Sequence, residues 1–161
     1  MNVYPNRDLI GYGRKPPRAR WPGDARVAIN FVLNYEEGAE YCVLNGDPHS
    51  ETALSDLSGL VPLEGARHLN VESVYEYGSR VGAWRVFELF RERGVPLTVY
   101  AVGLALELNP AVADVIRDNG YDVVSHGWRW IDYQSVDEDT ERGHIRLCVE
   151  TIERMTGARP L

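Results

Sequence analysis

Two polar segments of the sequence carry residue types that can do chemistry. The first is NYEEG, in which Glu36 and Glu37 directly follow an apolar run; the second is SHGWRWIDY at 125–133, which contains His126. Adjacent carboxylates can bind a metal or supply a general base, and a histidine can do either. Each of these residues alone is commonly part of a solvated turn or a structural hydrogen bond, so their meaning depends on whether the two segments meet.

The local spacing argues against a tightly held metal. Catalytic zinc and related ions take at least three protein ligands, often including two histidines four residues apart. Four residues after His126 stands Trp130, which cannot coordinate a metal, and His144 lies beyond the segment on the next predicted helix. Glu37 and His126 remain as two local candidates, so we expect no metal and no cofactor, although distant residues could complete a site.

Aromatic residues accompany both polar segments. Tyr35 precedes the acids, and Trp128 and Trp130 follow the histidine. Buried tryptophans are often simply part of a core, but aromatic side chains beside titratable groups are also typical of small-molecule pockets. We therefore predict that these three aromatic residues, with Glu37, contact a small-molecule substrate.

The elements around these segments predict an α/β fold with parallel strands. Apolar, β-branched runs indicate buried strands at 26–34, 96–103 and 121–127. Helical patterns fill 79–93, with an apolar stripe through Val81, Trp84, Phe87 and Phe90, and 109–118. Strand and helix alternate, which favours a parallel sheet whose strand ends collect on one face. The two polar segments are then expected to converge.

Two further regions complete this prediction. Residues 35–76 show turn chemistry without a sustained period, and an irregular stretch of that length is usually functional. A capping box of Ser135 and Glu138 predicts a last helix that ends before Gly157. Its predicted inner face consists of Ile145, Cys148, Val149, Ile152 and Met155.

Composition excludes several classes of protein. A length of 161 residues indicates one domain, with an N-terminal strap at 1–25 and the domain proper at 26–161. The net charge of −7 disfavours nucleic acid and anionic membranes as partners. The first residues lack the pattern of an export signal, and two distant cysteines suggest reduced thiols, so we expect a cytoplasmic protein.

These residues resemble a known family, the NodB homology domain of polysaccharide deacetylases, which is a deformed (β/α) barrel. NYEEG stands where that family has T-F-D-D-G, and HGWRW stands where it has H-[ST]-x-x-H. The resemblance implies that Glu36 is the general base, Glu37 the metal-binding acid and His126 the first metal-binding histidine. Trp130 then replaces the second histidine, and both aspartates of the motif are glutamates.

The combination of departures is similar to one branch of that family, the cofactor-independent allantoinases of bacterial purine breakdown. The segments ESVYEYGSRVGAWR, PLTVYAVG and SHGWRWIDYQ resemble this branch, and the likeness extends over nearly the whole chain. It implies metal-independent opening of the hydantoin ring of allantoin to give allantoate. Glu36 would act as the base, and His126 would orient the substrate or donate to the oxyanion.

Members of the branch are considerably longer, and this sequence stops within a TGxRPxGW-like segment. We therefore expect about the first three βα units of the barrel, inactive alone, with a homo-oligomer formed by the full-length protein. Two alternatives stay open at this point. One is a metal-dependent deacetylase of polysaccharide or peptidoglycan, and the other is a non-catalytic truncated fragment.

Overall fold

The structure, a computed structural model, describes residues 7–160. In this part of the chain, the strands β1 (Val32–Tyr35), β2 (Thr98–Ala101) and β3 (Asp122–Ser125) form one parallel sheet in the order β1-β2-β3. Parallel neighbours need a crossover connection, which is usually helical. The predicted α/β class with parallel strands is confirmed.

Helices provide these crossovers. A continuous helical segment links β1 to β2; it consists of α1 (Leu69–Tyr77), a π-helical turn (Gly78–Gly82) and α2 (Ala83–Arg93). Two shorter helices, α3 (Gly103–Leu108) and α4 (Pro110–Asn119), link β2 to β3, and α5 (Glu138–Thr156) follows β3. Short 3₁₀ turns lie at Pro22–Asp24, Val43–Asn45 and Tyr133–Ser135.

The core surrounds the central strand and includes residues of α2, of the second-crossover helices and of α5. Val99 and Ala101 of β2 are fully buried, and helix α5 packs on α3 and α4 through Cys148 and Ile152. A central strand covered on both faces buries residues at consecutive positions, and Thr98 and Val99 of β2 are both buried.

The first predicted strand is wrong in its extent. It was expected over 26–34, but only Val32–Tyr35 pair with β2, and residues 26–31 are exposed. Backbone pairing stabilises a strand, and β2 offers partners only from Thr98, opposite Val32. The described part of the predicted strap, 7–25, is also exposed throughout, and residues 1–6 of it lie outside the described residues.

The irregular region 35–76 and the first helix also need correction. Helix α1 begins at Leu69, ten residues before the predicted start at Ser79, and it buries only Val71 and Tyr75. Two buried residues four apart are too few to produce a periodic pattern. The π-helical turn then interrupts the register, because it inserts a residue into the helical ladder. Val81 of the predicted apolar stripe is consequently exposed, whereas Phe87 is buried.

The other corrections are local. The second strand ends at Ala101, and α3, which was not predicted, starts at Gly103. Helix α5 is capped by Asp137, whose Oδ1 accepts a hydrogen bond from the Thr140 amide at 3.0 Å, instead of by Ser135. Ile145, expected on the inner face, is 53% exposed. No described helix has the length and hydropathy needed to span a membrane.

Gly103 and Gly143 provide a matched test of the packing. A β-carbon on Gly103 would lie 2.6 Å from Cε3 of Trp128, while one on Gly143, inside α5, would meet nothing within 4 Å. We predict that Gly103→Ala lowers the free energy of unfolding by about 1–3 kcal/mol through overpacking. Gly143→Ala should raise it by about 0.5–1 kcal/mol, because alanine loses less entropy in a helix. Urea unfolding measures both; equal effects would contradict the close packing of Trp128.

Candidate active site

The register of the sheet brings the two polar segments to one level. Tyr35 lies beside Ala101, and Ala101 lies beside Ser125, so the next residue of each strand starts a loop at the same edge. Those next residues include Glu36 and His126. The backbone continues the ladder there, since the His126 amide donates to the Ala101 carbonyl at 3.0 Å.

Glu36 and His126 are in direct contact. Neighbouring strands lie about 4.8 Å apart, so β1 and β3 are separated by about 9–10 Å, and two long side chains are needed to meet. Glu36 Oε1 lies 2.9 Å from His126 Nε2, and the two side chains are 8% and 33% exposed. A carboxylate only accepts hydrogen bonds, so Nε2–H donates when Glu36 is ionised. The pair forms a carboxylate–imidazole dyad.

Glycines shape the backbone immediately after the dyad. Gly127 follows His126 with φ of 86°, and Gly38 follows the two acids with φ of 91°. Both values lie in the left-handed region, which glycine adopts without steric cost. The turns let each loop leave the sheet edge directly after presenting its polar side chain.

Glu37 is held by backbone groups instead of by the dyad. Its Oε2 accepts a hydrogen bond from the Glu36 amide at 3.0 Å, and burial raises the pKa of its carboxyl. A β-carbon on Gly78, in the π-helical turn, would overlap Glu37 Oε1. Gly78 therefore makes room for this carboxylate; from the sequence it was marked only as part of the segment YEYGSR, without an assigned role. π-helical turns often occur at functional sites.

The aromatic candidates occupy different environments. Tyr35 is fully buried, and its hydroxyl is hydrogen bonded with Ser79 and Asn109, both at 3.0 Å. Trp128 packs on Gly103, as described above. Trp130 is half-buried, and its ring centroid lies 6.4 Å from that of Tyr75. Trp130 therefore stands at the site edge, whereas Tyr35 supports the site from within.

Two cavities adjoin these residues. One of about 310 Å³ is lined by His126, Trp130 and Tyr133, and one of about 410 Å³ is lined by Glu37, Asn109 and residues of α1. Polar groups that converge on apolar walls are typical of sites for small molecules. Glu37 opens onto the larger of these cavities and His126 onto the smaller one.

The donor set does not fit the divalent metal of the deacetylase motif. Among residues 7–160, no group of three or more His, Cys, Asp or Glu side chains could hold a metal ion. Trp130 offers no ligand atom where the motif has its second histidine, and Glu37 directs an oxygen at the Glu36 amide. The described residues therefore bring one carboxylate and one imidazole into contact and do not by themselves supply the ligand set of the motif.

Comparisons with known proteins agree with this fold. The family model for polysaccharide deacetylase matches residues 69–161. A Schizosaccharomyces pombe protein, whose name assigns it to the polysaccharide deacetylases, is 41% identical over 155 residues, which are 94% of this chain and 48% of that protein.

Solved structures extend the likeness to nearly the whole chain. The crystal structure of Puue allantoinase is 48% identical with a TM-score of 0.91, covering 99% of this chain and 53% of that one. A Pseudomonas aeruginosa PAO1 protein, likewise named as a polysaccharide deacetylase, is 54% identical with a TM-score of 0.90, covering 98% and 52%. This chain thus spans about half the length of these relatives. The expected partial barrel of the deacetylase type is confirmed, and the chain belongs to the polysaccharide deacetylase family.

Proposed function

We propose that this chain carries the base-bearing half of a metal-independent hydrolase that opens the hydantoin ring of allantoin. The observation that carries the proposal is the contact between Glu36 Oε1 and His126 Nε2 at 2.9 Å, beside Trp130. A general base and a donor suffice for water attack on a carbonyl, whereas the deacetylase motif relies on a third metal ligand. Similarity to Puue allantoinase over 99% of the chain supports this substrate class.

The proposed reaction is the hydrolysis of one amide bond of the ring. Glu36 removes a proton from water, and the water oxygen bonds to the ring carbonyl carbon. As Glu36 becomes protonated, its hold on His126 Nε2–H weakens, and that N–H turns to donate to the oxygen on which negative charge develops. The ring C–N bond then breaks, the proton passes to the departing nitrogen, and the products are a carboxylate and a ureido group on one molecule. General-base assistance typically contributes ~10²–10⁴-fold in rate.

Glu37 and Trp130 are proposed to hold the ring. The flat ring system of Trp130 provides an apolar surface at the site edge, parallel to which a planar ureide can lie. Because burial raises the pKa of Glu37, its neutral form persists to higher pH than that of an exposed glutamate. As a neutral acid it donates to a carbonyl, and as a carboxylate it accepts from a ring N–H.

Because the chain spans about half of its relatives, the rest of the substrate pocket is proposed to come from the other half of the barrel. We expect residues 1–161 alone to have little or no allantoin hydrolysis. A suitable test protein is a chimaera in which residues 1–161 replace the matching half of Puue allantoinase; it is called the chimaera below.

A second candidate function, metal-dependent deacetylation of a polysaccharide, is favoured by the names of two relatives at 41% and 54% identity. It requires a bound divalent ion. We expect the chimaera to hydrolyse allantoin without a stoichiometric metal and to keep its rate after chelation. Elemental analysis measures the metal content, and allantoate release measures the rate. A metal content that changes in proportion to the rate would favour the deacetylase.

Replacement of the proposed base tests the mechanism. We predict that Glu36→Gln in the chimaera lowers kcat for allantoin by at least ~10²-fold, because the amide cannot accept a proton from water. The matched control is Glu88→Gln, on an exposed surface pair with Arg91, which should change kcat little. A loss of less than tenfold in Glu36→Gln, with the fold intact by circular dichroism, rejects Glu36 as the base.

Two glycines of the π-helical turn test the role of Glu37. A β-carbon on Gly78 would overlap Glu37 Oε1, whereas one on Gly82 would make only ordinary contacts at 3.7 Å with Tyr77. We predict that Gly78→Ala in the chimaera raises KM for allantoin several-fold more than Gly82→Ala does, because Glu37 must leave its place. Steady-state kinetics of the two variants decide, and equal KM values would contradict a substrate contact by Glu37.

A further inference from the structure

We propose that Arg129 is a positioning residue that holds the loops of Glu36 and His126 in one relative arrangement. The residue stands three positions after His126, on the loop that follows β3, and its side chain reaches the loop that follows β1. The inference concerns the geometry of the dyad, and its consequence for catalysis rests on the proposed function.

The guanidinium of Arg129 binds two successive carbonyls of the first loop. Nε donates to the Ala39 carbonyl and Nη2 to the Glu40 carbonyl, each at 3.0 Å. The planar guanidinium presents its donors in a fixed fork, which matches adjacent oxygen acceptors. Arg129 therefore fixes the position of the loop backbone itself, and not merely that of one flexible side chain.

An aspartate completes this contact. Arg129 Nη2 lies 2.5 Å from Asp47 Oδ2, and the two side chains are only 11% and 12% exposed. The same Asp47 oxygen accepts the Cys42 amide at 2.8 Å. A charge pair this far from solvent is screened little, and removal of one partner leaves the other charge uncompensated. Asp47 thus ties the far end of the first loop to the same guanidinium.

The hydrogen bond from Arg129 to Ala39 also constrains Glu36, because Ala39 and Glu36 belong to one tight turn. The Ala39 amide donates to the Glu36 carbonyl at 3.0 Å, and the Ala39 carbonyl also accepts from the Trp130 amide at 3.0 Å. These contacts close a ring that runs from Glu36 through Ala39 to Arg129, and back through Gly127 and His126 to Glu36.

The other end of Arg129 is also anchored. Its amide donates to the Tyr133 hydroxyl at 3.2 Å, and that hydroxyl is hydrogen bonded with Nδ1 of His144 on α5, at 3.0 Å. These two hydrogen bonds fix the second loop to helix α5, and the Arg129 side chain extends from this anchored loop to the first loop. Among these contacts the guanidinium touches backbone carbonyls and Asp47, so it acts on the dyad through the backbone.

The test uses the 161-residue chain and the imidazole of His126 as its probe. The chain has four histidines, so ring ¹⁵N resonances can be assigned by comparison with His126→Gln. Glu36→Gln defines the His126 Nε2 resonance when the charged partner is lost. We expect Arg129→Lys to move this resonance toward that reference, because lysine cannot make the paired contacts. Asp47→Asn should move it in the same direction, because asparagine lacks the charge that pairs with the guanidinium.

Arg154→Gln is the control, since it removes an ion pair with Glu107 between α5 and α3 that is not one of the contacts between the two loops. It should leave the His126 resonance in place, because it removes an arginine ion pair without touching either loop backbone. An unchanged His126 resonance in folded Arg129→Lys and Asp47→Asn would overturn the inference. If both variants fail to fold, Arg129 is a folding determinant and the positioning role is rejected.

A second measurement separates this inference from the proposed function. In the chimaera, Arg129→Lys is expected to lower kcat for allantoin about 10–100-fold with little change in KM, because a small misplacement of reacting groups is costly. A chimaera with no activity on allantoin contradicts the proposed function, while the His126 resonances still decide the role of Arg129. A shift of the resonance with unchanged kcat would remove the catalytic consequence.

Discussion

Tyr35, Ala101 and Ser125 share one level of the parallel sheet, and this alignment determines where Glu36 and His126 emerge. The central strand lies between them, so the dyad must form across about 9–10 Å of backbone spacing. Glutamate and histidine are long enough to meet there, at 2.9 Å. The other features of the site act on the loops that start from this edge. The left-handed glycines set the direction of each loop, and the hydrogen bonds of Arg129 join the two loops.

The free-energy cost of burying acids near the site is partly offset by specific hydrogen-bond partners. Glu36 has the imidazole of His126, whereas Glu37 and Glu40 accept backbone amides, of Glu36 and Gly38 respectively. Burial nevertheless raises the pKa of both Glu37 and Glu40, because backbone hydrogen bonds replace only part of the lost hydration. The sheet edge therefore carries acids that are held in place by the backbone at an energetic cost, which is typical of functional sites.

Trp130 is the departure from the deacetylase motif on which the proposal of a different chemistry chiefly rests. The motif position that would supply a metal ligand instead supplies a half-buried aromatic ring beside His126. With that ligand absent, the proposed function has a carboxylate activate water in place of polarisation by a metal.

The sequence alone determined the alternation of strands and helices, the parallel class and the convergence of NYEEG with SHGWRWIDY, because these follow from local apolar patterns and strand direction. It did not reveal α1 and α3, whose buried faces are too short to show a period, nor the exposure of residues 26–31, which depends on strand pairing. Only the tertiary structure decided that Glu36 contacts His126, that Gly78 admits Glu37 and that Arg129 joins the two loops. Those contacts link residues as many as ninety positions apart, and a distance between loops is not encoded in any local pattern.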